Sequence, residues 1–213
     1  MCNLSFGQIK YPDAKQHLKE FLVMQSLLSE NRIEDLQIEA KKYEKLYKEN
    51  KNIISISLRK KIKPSLNFNL KLVNLKRQKP EFKNLKYKEI LKHLSKLDNS
   101  KLDIGLCSNK KIFETGTSNI LFIKKNRVFS PVNKFYKGIT YKFFKSKIKK
   151  ITIKDILVNS LKEFDEIILI GTGKGVASVN QIEQIKWKRK SLKFYKRLSR
   201  YYLSATKSNL EYK

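Results

Sequence analysis

The stretch Lys111-Ile112-Phe113-Glu114-Thr115-Gly116-Thr117-Ser118-Asn119-Ile120-Leu121-Phe122 constrains the fold more than any other. Two apolar runs flank a polar centre of one carboxylate, three hydroxyls, a glycine and an amide. The second run, Ile120 to Ile123, reads as a short buried strand. Glu114 then sits at the mouth of that strand, among groups able to hydrogen-bond it. Taken alone, the stretch is equally well a polar loop before a strand. Two Gly/Thr turns sharpen the reading. Gly138-Ile139-Thr140 and Gly171-Thr172-Gly173 both lie within about 60 residues of Glu114.

The chain of 213 residues is long enough for one large domain or two small ones, and 40% hydrophobic residues suffice for a packed core. Two cysteines, Cys2 and Cys107, suggest neither a disulfide framework nor a zinc site. His17 and His93 have no partners at metal-ligand spacing. The longest apolar runs, Phe21–Met24, Ile120–Ile123 and Ile167–Ile170, fall far short of a membrane span. With no signal peptide visible, the expectation is a soluble cytoplasmic protein without a metal.

The net charge of +29 admits two explanations. One is a basic surface for nucleic acid or an acidic substrate. The other is coding bias, since only seven of the 48 basic residues are arginine and Ile and Asn are also abundant. A dedicated RNA binder clusters arginine with aromatics. Here the lysines are spread along the whole chain, which favours bias and disfavours nucleic acid as the partner.

Read in order, the chain alternates helical and extended patterns. Leu18, Phe21, Leu22, Leu27 and Leu28 predict a helix from about Ala14, broken at Ser29-Glu30-Asn31. Leu36, Ala40, Tyr43 and Tyr47 predict a second over Glu34–Asn50. Ile53–Leu58 and Leu66–Leu72 alternate apolar and polar residues, as an antiparallel strand pair would. A boundary falls at Arg77-Gln78-Lys79-Pro80. Ile90, Leu91, Leu94 and Leu97 form the core face of the next helix. Lys83 and Tyr87 lie ahead at i and i+4, on one side if that segment is helical. Strands follow at Asp103–Cys107 and Arg127–Phe129, then a helix over Ile153–Glu163 capped by Thr152. Ile167–Ile170 is a continuous apolar strand, buried on both faces. A basic amphipathic helix runs from Ser191 to about Ala205.

Gly171-Thr172-Gly173-Lys174-Gly175 has neither Walker A spacing nor the spacing of a dinucleotide fingerprint. What survives is general: a glycine turn after a buried strand exposes backbone N–H groups, and the Thr172 hydroxyl adds a donor. Such a turn can hold a phosphate, as can Gly138-Ile139-Thr140. The bland alternative is a plain strand-exit turn. Two phosphate-holding turns, an acid for a ring nitrogen and a lysine for an aldehyde are together the requirements of pyridoxal 5'-phosphate.

The sequence resembles the class IV aminotransferases, the fold-type-IV pyridoxal-phosphate enzymes. Phe113-Glu114-x-Gly116-Thr117-Ser118-Asn119-Ile120, Phe129-Ser130-Pro131, Lys137-Gly138-Ile139-Thr140 and Asp165-Glu166-Ile167 through Gly171-Thr172 resemble the family's motifs, in the family's order. The resemblance implies an α/β (α+β) fold of two domains. These are a shortened N-terminal domain over residues 1–79 and a cofactor-binding domain over 80–213. It implies Lys83, 31 residues before Glu114, as the lysine that attaches the cofactor, with Lys86 the alternative. Tyr87 would bond the phenolic oxygen, and Glu114 would keep the ring nitrogen protonated. Gly138, Ile139, Thr140, Gly171 and Thr172 would hold the phosphate. The nearest match to the family's phosphate-arginine helix is His17-Leu18-Lys19-Glu20-Phe21, with Glu20 where arginine stands.

Lys83-Asn84-Leu85-Lys86-Tyr87 resembles the lyase branch of the family. The implied activity is therefore conversion of 4-amino-4-deoxychorismate to p-aminobenzoate and pyruvate, in folate biosynthesis. The alternatives are a transaminase of the same fold and a non-catalytic member with a basic binding surface. The implied partners are a small anionic amino compound and a second copy of the chain, with no membrane.

Overall fold

The computed structural model describes residues 62–80, 87–132 and 135–208, and before them residues 23, 24, 26, 30, 32, 34, 35 and 37–42. The chain divides into two compact units, residues 1–61 and 62–213. Within the first, residues 23, 24, 26, 34, 35 and 37–42 are helical, at places where the apolar periodicity predicts helix. The strand expected at 53–58 and the motif at His17–Phe21 lie outside the described residues. Among the described residues no helix is long and apolar enough to cross a membrane.

The second unit opens with β1 (Phe68–Asn74) and α1 (Lys88–Leu94), followed by β2 (Leu102–Ser108), β3 (Lys111–Thr115), β4 (Asn119–Lys124) and β5 (Arg127–Ser130). Helix α2 (Ile139–Lys147) leads to two short strands, β6 (Ile151–Ile153) and β7 (Ile156–Leu157), and a 3-10 helix over Val158–Glu163. Then come β8 (Glu166–Gly171), β9 (Gly175–Ile182), β10 (Trp187–Lys188) and α3 (Lys193–Ser208). The strands join one mixed sheet in the order β6-β5-β4-β8-β9-β1-β2-β3-β7, with β10 paired to β9. This is the α/β class expected from the sequence.

Alternation along the central strands builds two cores from one sheet. Ile120 and Phe122 of β4, with Ile167 and Leu169 of β8, enter a cluster that also holds Phe68, Val179 and Trp187. Leu121 and Ile123, with Ile168 and Ile170, enter a second cluster with Tyr141 and Phe144 of α2 and Phe194 and Leu198 of α3. The run Ile167–Ile170 is thus buried on both faces, as its lack of polar interruption predicts. On the far part of the sheet, Ile90 and Leu94 of α1 pack on Ile104 and Leu106 of β2.

Two expectations change. The segment read as a helix over Ile153–Glu163 is β6, β7 and a 3-10 turn. Its β-branched run Ile151-Thr152-Ile153 pairs in parallel with β5, and Ile156 is taken into the sheet-side core. The strand expected over residues 66–72 forms at Phe68–Asn74 and runs parallel to both β2 and β9, while its expected antiparallel partner over 53–58 lies outside the described residues. Leu91, read as core, is 50% exposed, while Ile90 and Leu94 carry the buried face of α1.

Two acidic residues of the Asp165-Glu166 motif are structural. Glu166 is buried, and its carboxylate accepts the backbone N–H groups of Phe194 (2.9 Å) and Tyr195 (2.9 Å) and the Ser191 hydroxyl (3.0 Å). It therefore caps α3 from the neighbouring strand, where the helix leaves N–H groups unpaired and its dipole favours an anion. Asp165 Oδ2 accepts the Lys125 N–H at 2.8 Å and so ties down the β4–β5 hairpin.

The glycine turn between β8 and β9 is anchored from inside. Lys174 does not face solvent; its Nζ donates to Asp103 Oδ2 at 2.8 Å, with side-chain exposures of 2% and 0%. Asp103 also accepts the Thr117 hydroxyl at 2.6 Å and the Thr115 hydroxyl at 3.0 Å, while its Oδ1 accepts the Ile104 N–H at 2.8 Å. Gly175 has φ +67°, and a Cβ there would lie 2.8 Å from the Tyr202 ring. Only glycine fits that turn without strain. Replacing Lys174 by Met should leave Asp103 as an unpaired buried charge and cost about 3–5 kcal/mol of stability. Urea unfolding checks this. The double variant with Asp103→Asn should recover part of the loss, as a coupled pair requires.

Candidate active site

A cleft of about 360 Å3 lies where the β3–β4 turn, the segment before α2 and the β8–β9 turn meet. It is lined by Tyr87, Glu114, Gly138, Thr140, Gly171 and Thr172, among others. The structure thus brings together six of the residues singled out from the sequence. Ile139 is not among them: its side chain is 78% exposed and does not line the cleft. Lys83 and the alternative Lys86 lie outside the described residues.

The turn between β3 and β4 explains its composition. Thr115 Oγ1 accepts the Ser118 N–H at 2.8 Å and the Thr117 N–H at 3.3 Å, closing the bend. A Cβ on Gly116 would lie 2.9 Å from Ile104 and 3.0 Å from Leu94, so glycine lets α1 and β2 approach the turn. Glu114 is on a strand rather than a loop, one residue before this bend, and only 4% exposed.

Arg77 holds Glu114 in place. Its Nε donates to Glu114 Oε1 at 2.9 Å, and its Nη2 reaches the Gly116 carbonyl at 3.5 Å. The same guanidinium lies 5.9 Å from the centre of the Tyr87 ring, within cation–π range. Burial raises the Glu114 pKa above its ordinary value, against the opposing pull of the Arg77 guanidinium and the Tyr136 backbone. The sequence shows Arg77 only as one of seven arginines at a polar boundary. The pairing spans 37 residues and has no local signature.

At the other glycine turns the hydroxyls of Thr140 and Thr172 stand 3.3 Å apart. Thr140 is in the first turn of the nine-residue α2, whose leading N–H groups have no partners within the helix. Asn119 positions that helix start: its Nδ2 donates to the Tyr136 carbonyl at 2.6 Å, and its Oδ1 accepts the Gly138 N–H at 3.1 Å. A Cβ on Gly171 would lie 2.9 Å from Ser118 Oγ and 3.3 Å from the Thr117 carbonyl oxygen, so glycine eases the close approach of the β8–β9 turn to the β3–β4 turn. Asn119 is the other residue whose role emerges only here, although it stands in a quoted motif.

The chain belongs to the class IV aminotransferase family, whose model matches residues 10–182. Pyridoxal 5'-phosphate is the cofactor of that family. Solved structures share the fold at low identity. A branched-chain aminotransferase from the archaeon Thermoproteus uzoniensis, solved with norvaline, is 15% identical with a TM-score of 0.59, over 70% of this chain and 55% of its own. A 4-amino-4-deoxychorismate lyase from Pseudomonas aeruginosa is 15% identical with a TM-score of 0.57, over 75% and 63%. An aminotransferase from Brucella abortus, bound to the cofactor PLP, is 16% identical with a TM-score of 0.54, over 70% and 57%. The chain spans about half to three-fifths of the length of these solved chains. No curated protein sequence matches it significantly.

The described residues fit that cofactor. Glu114 offers a buried carboxylate of the kind a pyridinium nitrogen needs. Thr140, Thr172 and the N–H groups opening α2 offer neutral donors and a helix dipole of the kind a phosphate needs. Arg77 is the one cation among the described lining residues, and it is committed to Glu114.

Glu114 should leave a mark on stability. A carboxyl with its pKa raised in the folded state favours folding most below the unfolded value of 4.5. That advantage is lost as pH rises through the raised value. The stability of the unsubstituted protein relative to Glu114→Gln should therefore fall between about pH 4 and about pH 7. Urea unfolding of both proteins at the two pH values reads this out. A difference that grows with pH would show that Arg77 outweighs burial.

Proposed function

We propose that the chain is a pyridoxal-phosphate-dependent lyase that converts 4-amino-4-deoxychorismate to p-aminobenzoate and pyruvate. The observation that supports a cofactor site is the shared cleft. A buried carboxylate and a pair of threonine hydroxyls at a helix start line one cavity, with Tyr87 beside them. The lyase assignment rests on the Lys83–Tyr87 segment, which precedes α1.

Each residue has a task in this reading. Lys83 anchors the cofactor and moves a proton at the substrate carbon that bears the amine. Glu114 holds a proton at the ring nitrogen, and Arg77 orients Glu114. Tyr87 donates to the phenolic oxygen. Gly138, Ile139, Thr140, Gly171 and Thr172 receive the phosphate through hydroxyl and backbone N–H groups. Ile139 contributes its backbone alone, consistent with its exposed side chain. When bound, the cofactor supplies an electron-accepting ring that stabilises negative charge on the substrate carbon. A homodimer in the cytoplasm belongs to the same proposal.

Amino transfer between an amino acid and a keto acid is the alternative, since the matched structures include branched-chain aminotransferases as well as lyases. Titration of the purified protein with pyridoxal 5'-phosphate should produce a visible absorbance band that borohydride removes. Lys83→Ala should abolish the band. Glu114→Gln should retain it and lower turnover by about 100-fold or more, the scale of losing a positioned acid. Pyruvate and p-aminobenzoate released in equal amounts confirm the lyase. Turnover that needs a keto acid and releases no pyruvate assigns the transaminase. Failure to take up cofactor refutes both.

A further inference from the structure

Six exposed cations meet at one surface cleft. A cleft of about 860 Å3, sharing no residue with the cleft around Glu114, is lined by Arg127, Lys149, Lys150, Lys193, Arg197 and Arg200. Three of the seven arginines meet here, although they are up to 73 residues apart in sequence. No described carboxylate lines the cleft, and among the described residues none of these six cations has an ion-pair partner within 4.0 Å. All six are exposed.

Their placement follows from three elements. Lys193, Arg197 and Arg200 fall at i, i+4 and i+7, one stripe along α3. Lys149 and Lys150 follow the C-terminal end of α2, and Arg127 opens β5. The Arg197 guanidinium lies 4.0 Å from the centre of the Phe194 ring, within cation–π range. The Asn126 amide and Thr152 hydroxyl add neutral polar groups.

The basic surface continues past this cleft. A second cleft of about 390 Å3 shares Arg127 and adds Lys124, Lys125 and Lys154. Lys154 stands 4.6 Å over the Phe129 ring, and Lys124 is held by Glu163 at 2.6 Å. Two joined basic clefts make a track rather than a point. A compact anion would occupy one of them; an extended anion would follow both. A second copy of this chain, with the same net charge of +29, is a poor occupant.

We propose that this track binds the phosphate backbone of single-stranded nucleic acid. Arginine and lysine meet successive phosphates, and the free face of Arg197, backed by Phe194, is a platform on which a base can stack. Affinity is then dominated by counterion release and carries little sequence preference. The lysines are scattered along the sequence, but the fold brings Lys149, Lys150 and Lys193 together with Arg127, Arg197 and Arg200 at one cleft.

The test is fluorescence anisotropy of the full chain with a labelled single-stranded RNA of about 12 nucleotides, across a salt series. The variant Arg127→Ser/Arg197→Ser/Arg200→Ser is compared with a control of equal charge change, Lys71→Ser/Lys96→Ser/Lys188→Ser, at exposed positions outside both basic clefts. Circular dichroism confirms that both remain folded. Loss of three phosphate contacts should weaken binding about 100-fold at about 0.1 M salt and flatten the salt slope by about 2, with the control little changed. Equal weakening by both variants overturns the proposal, because binding would then follow net charge alone. So does absence of binding by the unsubstituted chain at low salt. Inorganic tripolyphosphate binding as tightly as the oligonucleotide also overturns it, since that anion fills only one cleft.

Discussion

A lysine in a short glycine-flanked turn ordinarily points into water, yet Lys174 is buried against Asp103. Taking both charges out of water is costly, and the pair is tolerable only because Asp103 is fully satisfied. It meets the Thr115 and Thr117 hydroxyls and the Ile104 N–H as well as Lys174. The consequence is geometric. The β8–β9 turn is pinned to the β3–β4 turn, and Gly171 packs closely on Thr117 and Ser118. Glu114 and Thr172 come to line one cleft because these two turns are locked together.

The residues of the family motifs divide by what they touch. Glu114, Thr140 and Thr172 face the cleft. Asn119 clamps the entry to α2, Glu166 caps α3, and Asp165 ties down a hairpin. The second group acts through the backbone: each member satisfies groups that would otherwise be orphaned at a bend, and Asn119 also lines the cleft. Arg77 belongs between the two groups. It shares the cleft, orients the buried carboxylate and partly offsets the burial that raises its pKa. Family membership thus rests on a scaffold of hydrogen bonds as much as on the groups that would meet a cofactor.

Charge has two separate uses in this molecule. Around Glu114 it is sparse and paired, with a single described cation opposite a single carboxylate. Along α3, β5 and the end of α2 it is dense and unpaired among the described residues. The ends of α2 serve different surfaces: its start, with Thr140, opens on the cleft, and the residues after its end, Lys149 and Lys150, open on the basic track. A helix start suits an anion that approaches its N–H groups, whereas lysines at a helix end complement the opposite dipole and remain free to meet phosphates.

Much of the fold was legible in the sequence, because strand and helix periodicities are local properties. The double-faced burial of Ile167–Ile170 and the basic amphipathic α3 both follow from spacing alone. Glu114 and the two Gly/Thr turns of the cleft stand out by composition, whereas Arg77 and Tyr136, which also line it, do not. The segment over Ile153–Glu163 was misread because a strand edge of β5 lay open to its β-branched residues, and a sheet partner outweighs a weak helix signal. Arg77 beside Glu114, Lys174 beneath its own turn and the gathering of Arg127, Arg197 and Arg200 were invisible for one reason. Ion pairs and charged surfaces depend on distance in space, and only the closing of the sheet brings residues tens of positions apart within a few ångströms.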